Sequence, residues 1–74
     1  MFVVDVFSLN GKHYAVCTGP EINKSMDPKY IQISDKHYKV KSIHFFEGFI
    51  GVLQAGFELE GPLPIPIGEA IITS

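Results

Sequence analysis

Three histidines and one cysteine are the side chains that could bind a metal or act as a nucleophile: His13, Cys17, His37 and His44. His13 and Cys17 share a face of one predicted strand, but at roughly 3.3 Å per residue they stand about 13 Å apart. That separation prevents them from ligating one ion, and it prevents a direct hydrogen bond between a thiol and a base. His37 and His44 fall on opposite faces of another strand. We therefore predict no metal site and interpret Cys17 as a buried, inert thiol.

Acid–base and phosphate chemistry have no better support. Asp5 follows three apolar residues and has no second carboxylate beside it, so an acid–base pair of the glycosidase kind is not predicted. The sequence contains no G-x-x-x-x-G-K-[ST] loop that would cradle phosphates. We predict that the chain is not an enzyme, needs no cofactor and binds no nucleotide.

Length and composition indicate one small domain over residues 1–74. The chain has 74 residues, of which 46% are hydrophobic and 19% charged, as in globular proteins. The single cysteine excludes an internal disulfide framework. Since a core of this size supplies roughly 3–5 kcal/mol, association with a partner is a plausible source of further stability.

Net charge and targeting signals predict where the chain resides and which partners it does not bind. The net charge is −2, with six lysines and no arginine, which argues against nucleic-acid binding. The first residues carry no basic cluster and no long apolar stretch, so they do not read as a signal peptide. No apolar run approaches the roughly 20 residues of a membrane span. We predict a cytoplasmic protein that does not enter a membrane.

The first half of the chain predicts short strands joined by turns. Phe2–Leu9 and Lys12–Thr18 flank Asn10-Gly11, a pair that favours the type I′ turn of a two-residue hairpin. In the second of these strands, Tyr14 and Val16 lie on one face, and His13, Ala15 and Cys17 on the other. Gly19-Pro20 ends the strand, and the polar stretch 21–28 offers only Ile22 and Met26 as anchors.

The second half continues the pattern. Lys29–Ser34 and His37–Phe46 read as strands around a tight turn at Asp35-Lys36. Tyr38 and Val40 share a face, but Ile43 is out of phase with them, which predicts a β-bulge near Lys41-Ser42. Gln54–Glu60 alternates most regularly, and its inward residues are Ala55, Phe57 and Leu59.

Three prolines mark the C-terminal segment 62–74. Pro62, Pro64 and Pro66 cannot donate to a ladder, so we predict an extended segment at a sheet edge, with Ala70–Thr73 as a candidate last strand. Together these elements predict an all-β fold, a small antiparallel β-barrel that is closed or partly open.

Short motifs follow one another in a fixed order through this pattern. They are Asp5-Val6-Phe7-Ser8-Leu9 before Gly11, Thr18-Gly19, Tyr30-Ile31-Gln32-Ile33, Lys39-Val40-Lys41-Ser42-Ile43 and Gly56-Phe57-Glu58-Leu59-Glu60-Gly61. Over residues 2–61, this set resembles the β-barrel second domain of translational GTPases of the elongation factor Tu type. The resemblance implies a barrel of that kind standing alone, without the GTPase domain. The family's RNA-contacting positions do not match by residue, so none is carried over.

The segment Phe45–Leu53 is the candidate interaction site. Neighbouring residues of a strand point to opposite faces, so Phe45 and Phe46 cannot both be core. Phe49 and Ile50 stand between glycines in a loop. Exposed apolar surface of this kind marks contact sites, and we predict that Phe45, Phe46, Phe49 and Ile50 bind a partner. The alternative is a loop that folds back and caps the barrel.

Charged side chains offer a second candidate contact. Lys36, Lys39 and Lys41, with His37, form a predicted basic face, and Glu58 and Glu60 an acidic one, with Glu69 as a third candidate. These faces would steer a charged partner or a second copy, or they are simply a solvated exterior.

Three functions follow from these features. The first is a non-enzymatic interaction module, a translation-factor-like barrel that binds an unidentified protein or itself. The second is an RNA-associated adaptor related to translation. The third is a small-molecule binder whose barrel mouth is lined by Tyr14, Tyr38 and Phe46, although a barrel this small is usually filled by its own side chains.

Overall fold

The fold is a closed, six-stranded antiparallel β-barrel. A computed structural model of the chain describes residues 1–48 and 51–73. The strands are β1 (Phe2–Leu9), β2 (Lys12–Thr18), β3 (Tyr30–Ile33), β4 (Lys36–Glu47), β5 (Leu53–Glu60) and β6 (Gly68–Ile72). Around the barrel their order is β1-β2-β5-β4-β3-β6, with β6 returning to β1. The predicted all-β barrel is thereby confirmed, and it is the closed form.

Two long hairpins carry most of the barrel. Strands β1 and β2 form one and β4 and β5 the other, and β2 pairs with β5 to join them into a four-stranded sheet. We call this β1-β2-β5-β4 unit the long sheet. The short strands β3 and β6 close it, since β3 pairs with the first residues of β4 and β6 with the first residues of β1.

The C-terminal segment contributes more than an extended edge. Strand β6 pairs with β1 at Phe2 and Val3, and with β3 at residues 31–33. The candidate last strand at Ala70–Thr73 is thus present as β6, at Gly68–Ile72, and it is paired on both sides. The prolines all precede this strand, and so they do not interrupt its hydrogen bonds.

Turn chemistry follows the sequence closely. Asn10 and Gly11 have φ angles of 53° and 77°, both positive, as the predicted type I′ hairpin turn requires. The second turn lies at Ser34-Asp35, one residue earlier than predicted, and Ser34 has a φ of 59°. Both turns fix the register of the hairpins that they join.

The core is filled by inward side chains from all six strands. In β5, Ala55, Phe57 and Leu59 are buried as predicted, and in β2 Ala15 and Cys17 are buried opposite them. The other buried hydrophobic residues are Met1, Val3, Ile22, Ile31, Ile33, Tyr38, Ile65 and Ala70. Alanines beside aromatic rings let the large side chains fit into a narrow barrel.

Tyr38 ties the barrel to the segment that follows β5. Its ring is buried, and its hydroxyl donates a 2.6 Å hydrogen bond to the Pro62 carbonyl. Burial raises the pKa of this hydroxyl, so it remains a donor. Tyr38 is thus a core residue and does not line a barrel mouth, while Tyr14 and Phe46 lie on the outside. The mouth predicted from these three residues is not formed.

Two β-bulges set which residues face outward. The predicted bulge is confirmed, because Val40 pairs with Leu59 and Ser42 with Glu58, leaving Lys41 as the extra residue. A second bulge, at Val4, was not predicted and lies between the Val3 and Asp5 pairs of β1. Its effect is that Asp5 does not share the inward face of Val3.

Candidate functional site

The histidines and the cysteine do not converge. Cys17 is inside the barrel, whereas His13 lies at one end, where its Nδ1 is 2.7 Å from Ser8 Oγ. His44 is on the outer face of β4, 3.5 Å from Ser42 Oγ. Among residues 1–48 and 51–73, no group of three metal-binding side chains comes together.

Burial makes the Cys17 thiol unreactive. It is fully buried, and loss of solvation raises its pKa to about 12. Since only the thiolate is a good nucleophile, we expect Ellman's reagent to label the native protein at least about a hundredfold more slowly than the protein in guanidinium. Equal labelling rates at neutral pH would contradict this buried position.

The candidate site is the outer face of the long sheet. Residues of β2 alternate, so Tyr14 and Val16 point outward between the buried Ala15 and Cys17. The strand register then places Phe7 opposite Tyr14, and Gly56 between Val16 and His44. A groove of about 300 Å³ runs across this face, and we call it the outer groove; it is lined by Phe7, Leu9, Tyr14, Val16, His44, Phe46 and Gly56.

Gly56 forms the floor of the outer groove. A Cβ at this position would meet Phe46 Cε1 at 3.7 Å, so the Phe46 ring lies against the bare backbone. On the opposite wall, the Phe7 and Tyr14 rings stack with centroids 5.1 Å apart and an angle of 16° between their planes. The groove is therefore a depression between aromatic side chains that hold one another in place.

Much of this aromatic surface faces solvent. Phe46 is 41% exposed, Phe7 44% and Leu9 58%. A cluster of large apolar side chains on a single face is the kind of patch that marks interaction surfaces. Isolated exposed apolar residues need no such explanation, but these side chains share one groove.

Polar groups form the rim of the groove. Glu58 stands beside Tyr14 in the sheet, and its carboxylate accepts a 3.0 Å hydrogen bond from Ser42 Oγ. Asp5 is opposite Val16, and Lys12 is opposite Leu9. An apolar centre with a charged edge is the usual anatomy of a protein–protein contact.

The predicted phenylalanines are split between the two faces of β4. Phe46 is exposed in the outer groove, while Phe45 is half-buried, pairs with Ala55 and packs against the core. Phe49 and Ile50 lie outside the described residues. Of the predicted partner-binding set, Phe46 is thus the residue that the structure places on the candidate surface.

The predicted basic residues are spread along β4. Lys36 is half-buried at the start of the strand, and it lies on the same face as the buried Tyr38. Lys39 is exposed and lies on the opposite face. Lys41 is exposed in the bulge. These lysines are therefore not arranged as a single flat face.

Sequence reasoning did not place Phe7 on this surface, and it assigned Tyr14 to a barrel mouth. Phe7 comes three residues before Asn10 and Tyr14 three residues after Gly11, so the hairpin register alone makes them cross-strand neighbours. The obstacle was the Val4 bulge, because regular alternation places Phe7 on the same face as the buried Val3.

Comparison of the chain with protein-family models, with curated proteins and with solved structures gave no match. The resemblance of its short motifs to the second domain of translational GTPases therefore stays a prediction. No helix long and apolar enough to cross a membrane occurs in the described part of the chain.

Proposed function

We propose that this protein is a non-enzymatic interaction module that binds a protein partner, or a second copy of itself, through the outer groove. The observation that supports this function is the clustering of exposed Phe7, Leu9 and Phe46 around the bare backbone of Gly56. A protein side chain set into such a depression would bury aromatic surface, which dominates the energy of most protein interfaces.

Protein binding accounts for the groove better than the RNA-adaptor alternative does. The stacked rings of Phe7 and Tyr14 could form a platform on which the bases of single-stranded RNA stack. However, the Glu58 carboxylate lies in the same row of the sheet, and the chain has no arginine for phosphates. The aliphatic Leu9 and Val16 also match an apolar protein surface better than a line of bases.

Replacing Phe46 by serine should weaken binding and leave the fold intact. The ring is on the outside of the barrel, and its removal takes away one wall of the groove. Sedimentation velocity would measure self-association. Quantitative capture from a lysate of the source cells, with the wild-type chain and the variant immobilised in parallel, would measure partner binding. Removal of a central aromatic contact typically costs 2 kcal/mol or more, so we expect a loss of about thirtyfold.

Ile71→Ser is the matched control. Ile71 is also exposed, at 55%, but it is on β6, opposite Gln32 and outside the long sheet. The control should bind like the wild-type protein. Equal binding by Phe46→Ser and wild type, or a thermal melt in which Phe46→Ser is unfolded, would contradict the proposed role. Binding of single-stranded RNA that depends on Phe46 would favour the adaptor instead.

A further inference from the structure

Glu58 places a carboxylate beside the outer groove. The strand register gives one outward row across the long sheet, which consists of Phe7, Tyr14, Glu58 and Ser42. On β5, Glu58 comes two residues after Gly56, the floor of the groove, which is about 7 Å along a strand. The stacked rings of Phe7 and Tyr14 and this carboxylate therefore border the same stretch of the groove.

The Glu58 carboxylate has a hydrogen-bond donor but no cation. The side chain is half-buried, and its Oε1 accepts the 3.0 Å hydrogen bond from Ser42 Oγ. The two ion pairs formed within residues 1–48 and 51–73 lie elsewhere, at the N-terminus and in the loop before β3. A carboxylate that has lost part of its solvation without gaining a counter-charge is unfavourable. A cation supplied by a partner would therefore stabilise it.

The unmatched charge beside the groove is negative. The next outward row consists of Asp5, Val16, Gly56 and His44, so the two rows together hold two carboxylates and no lysine. Lys12 stands opposite Leu9, nearer the end of the barrel. There it lines a second hollow together with Lys41, Glu58 and Glu60, so that lysines and glutamates are mixed. The excess of carboxylates is thus confined to the part of the face that borders Gly56.

The aromatic rings of the groove favour a cation as well. The face of an aromatic ring carries the negative part of its quadrupole, and a cation placed over that face is stabilised. Phe7 and Tyr14 provide a stacked pair of rings, and Phe46 lies against the other side of the floor. The groove therefore combines apolar walls with two separate sources of attraction for positive charge.

This combination matches an arginine side chain. A purely apolar side chain would cover Glu58 without giving it a counter-charge, and an acidic one would be repelled. Arginine and lysine both pack an aliphatic stem on apolar surface and carry a charged head at its end. The guanidinium of arginine is planar, so it can stack on a ring while it donates to a carboxylate, whereas a lysine ammonium is a point charge without a flat face.

We propose that the outer groove binds an arginine side chain of a partner protein, with the stem on Gly56 and the guanidinium stacked on Tyr14 and paired with Glu58. This inference rests on the proposed function, because it names the chemistry that the partner presents to the same groove. The 74 residues contain no arginine, so a second copy of this chain cannot supply the side chain. The proposal thus selects a protein of another sequence over self-association.

A small arginine probe tests the need for a guanidinium. Isotope-labelled protein would be titrated with Nα-acetyl-arginine methylamide at constant ionic strength, and the amide NMR signals of Val16, Gly56 and His44 would be followed. The citrulline analogue has nearly the same shape without the charge. We expect saturable shifts with arginine, weaker binding of the lysine analogue, and binding of citrulline weaker by about tenfold or more. Citrulline binding equal to that of arginine would overturn the proposal, and equal binding of lysine would overturn the guanidinium.

Glu58→Gln tests the carboxylate that the proposal names. The variant removes the charge and keeps an amide oxygen that can accept the hydrogen bond from Ser42. It should weaken binding of the arginine probe by about tenfold. Glu60→Gln is the matched control, since Glu60 is exposed on the same strand opposite Lys39 and does not line the outer groove. The control should bind like the wild-type chain. Unchanged binding by Glu58→Gln, or an equal loss in both variants, would contradict the proposed pairing.

The two proposals fail separately. If the arginine probe binds no better than its citrulline analogue while partner binding is lost in Phe46→Ser, the arginine is overturned and the outer groove keeps its function with another occupant. If the probe binds through Glu58 while Phe46→Ser captures its partner like the wild-type chain, the arginine site stands and the groove is removed from partner binding.

Discussion

Replacing Phe57 by alanine should unfold the protein. Phe57 is completely buried in β5, where it pairs with Ala15 on one side and Ile43 on the other. Removal of a buried phenylalanine costs about 3–5 kcal/mol. A core from a chain of this length supplies roughly the same amount in total, so the variant should show no cooperative thermal transition by circular dichroism.

Phe7→Ala is the matched control for that loss. It removes the same side chain from the same sheet, but Phe7 is on the outer face. We expect a folded protein with a slightly lower melting temperature, since only the stacking on Tyr14 and partial burial are lost. A Phe57→Ala protein that melts cooperatively near the Phe7→Ala midpoint would show that the core does not depend on this ring.

Gly61→Ala should destabilise the barrel through a steric clash. A Cβ at this position would meet Tyr38 Cδ1 at 2.7 Å and the His37 carbonyl oxygen at 2.8 Å. The backbone oxygen cannot rotate away, and moving the Tyr38 ring would disturb its hydrogen bond to Pro62. Overpacking of this kind costs about 1–3 kcal/mol, which urea unfolding would measure.

Gly56→Ala is the corresponding control. The added methyl group would meet nothing closer than Phe46 Cε1, at the ordinary contact distance of 3.7 Å. Both changes replace a glycine at or beside β5 by alanine, so both lower the conformational entropy of the unfolded chain by a similar amount, and this effect largely cancels when the two variants are compared. Equal urea midpoints for the two alanine variants would mean that the barrel absorbs the clash at Gly61.

Local chemistry explains which parts of the fold could be read from the sequence. Asn10-Gly11 signals its turn because so few other pairs tolerate two positive φ angles. The alternation in β5 identifies its buried side, and the phase error between Val40 and Ile43 locates the bulge at Lys41. Each of these signals lies within a few residues of the feature it predicts.

Features that depend on distant contacts left no such signal. The pairing of β6 with β1 and β3 is decided by the shape of the closed barrel. The Val4 bulge leaves no break in the pattern of apolar and polar residues, because Val3 and Val4 are both apolar and either could face the core. Tyr38 could be assigned to the core only once its hydroxyl had a partner in the Pro62 carbonyl.

The candidate site was predicted in part for the same reason. Strand parity predicts that one of Phe45 and Phe46 faces outward, but it does not say which, and both were predicted to bind a partner. The contribution of Phe7 depends on the Val4 bulge, and that of Gly56 on the pairing of β2 with β5. A groove built from four strands needs their order around the barrel, which no local pattern supplies.

The seam between β1 and β6 determines where the barrel is weakest. It joins residues from opposite ends of the described chain through two ladder pairs, Phe2 with Glu69 and Val3 with Gly68, and the Ala70 amide donates a 2.8 Å hydrogen bond to the Met1 carbonyl beside them. Loop-closure entropy is greatest for the most distant pairing, while the two hairpins need only short loops. The closing seam thus has the largest entropic cost and the shortest ladder to offset it. Local opening begins where ladders are short, so a partner that covers this seam would slow the first step of unfolding.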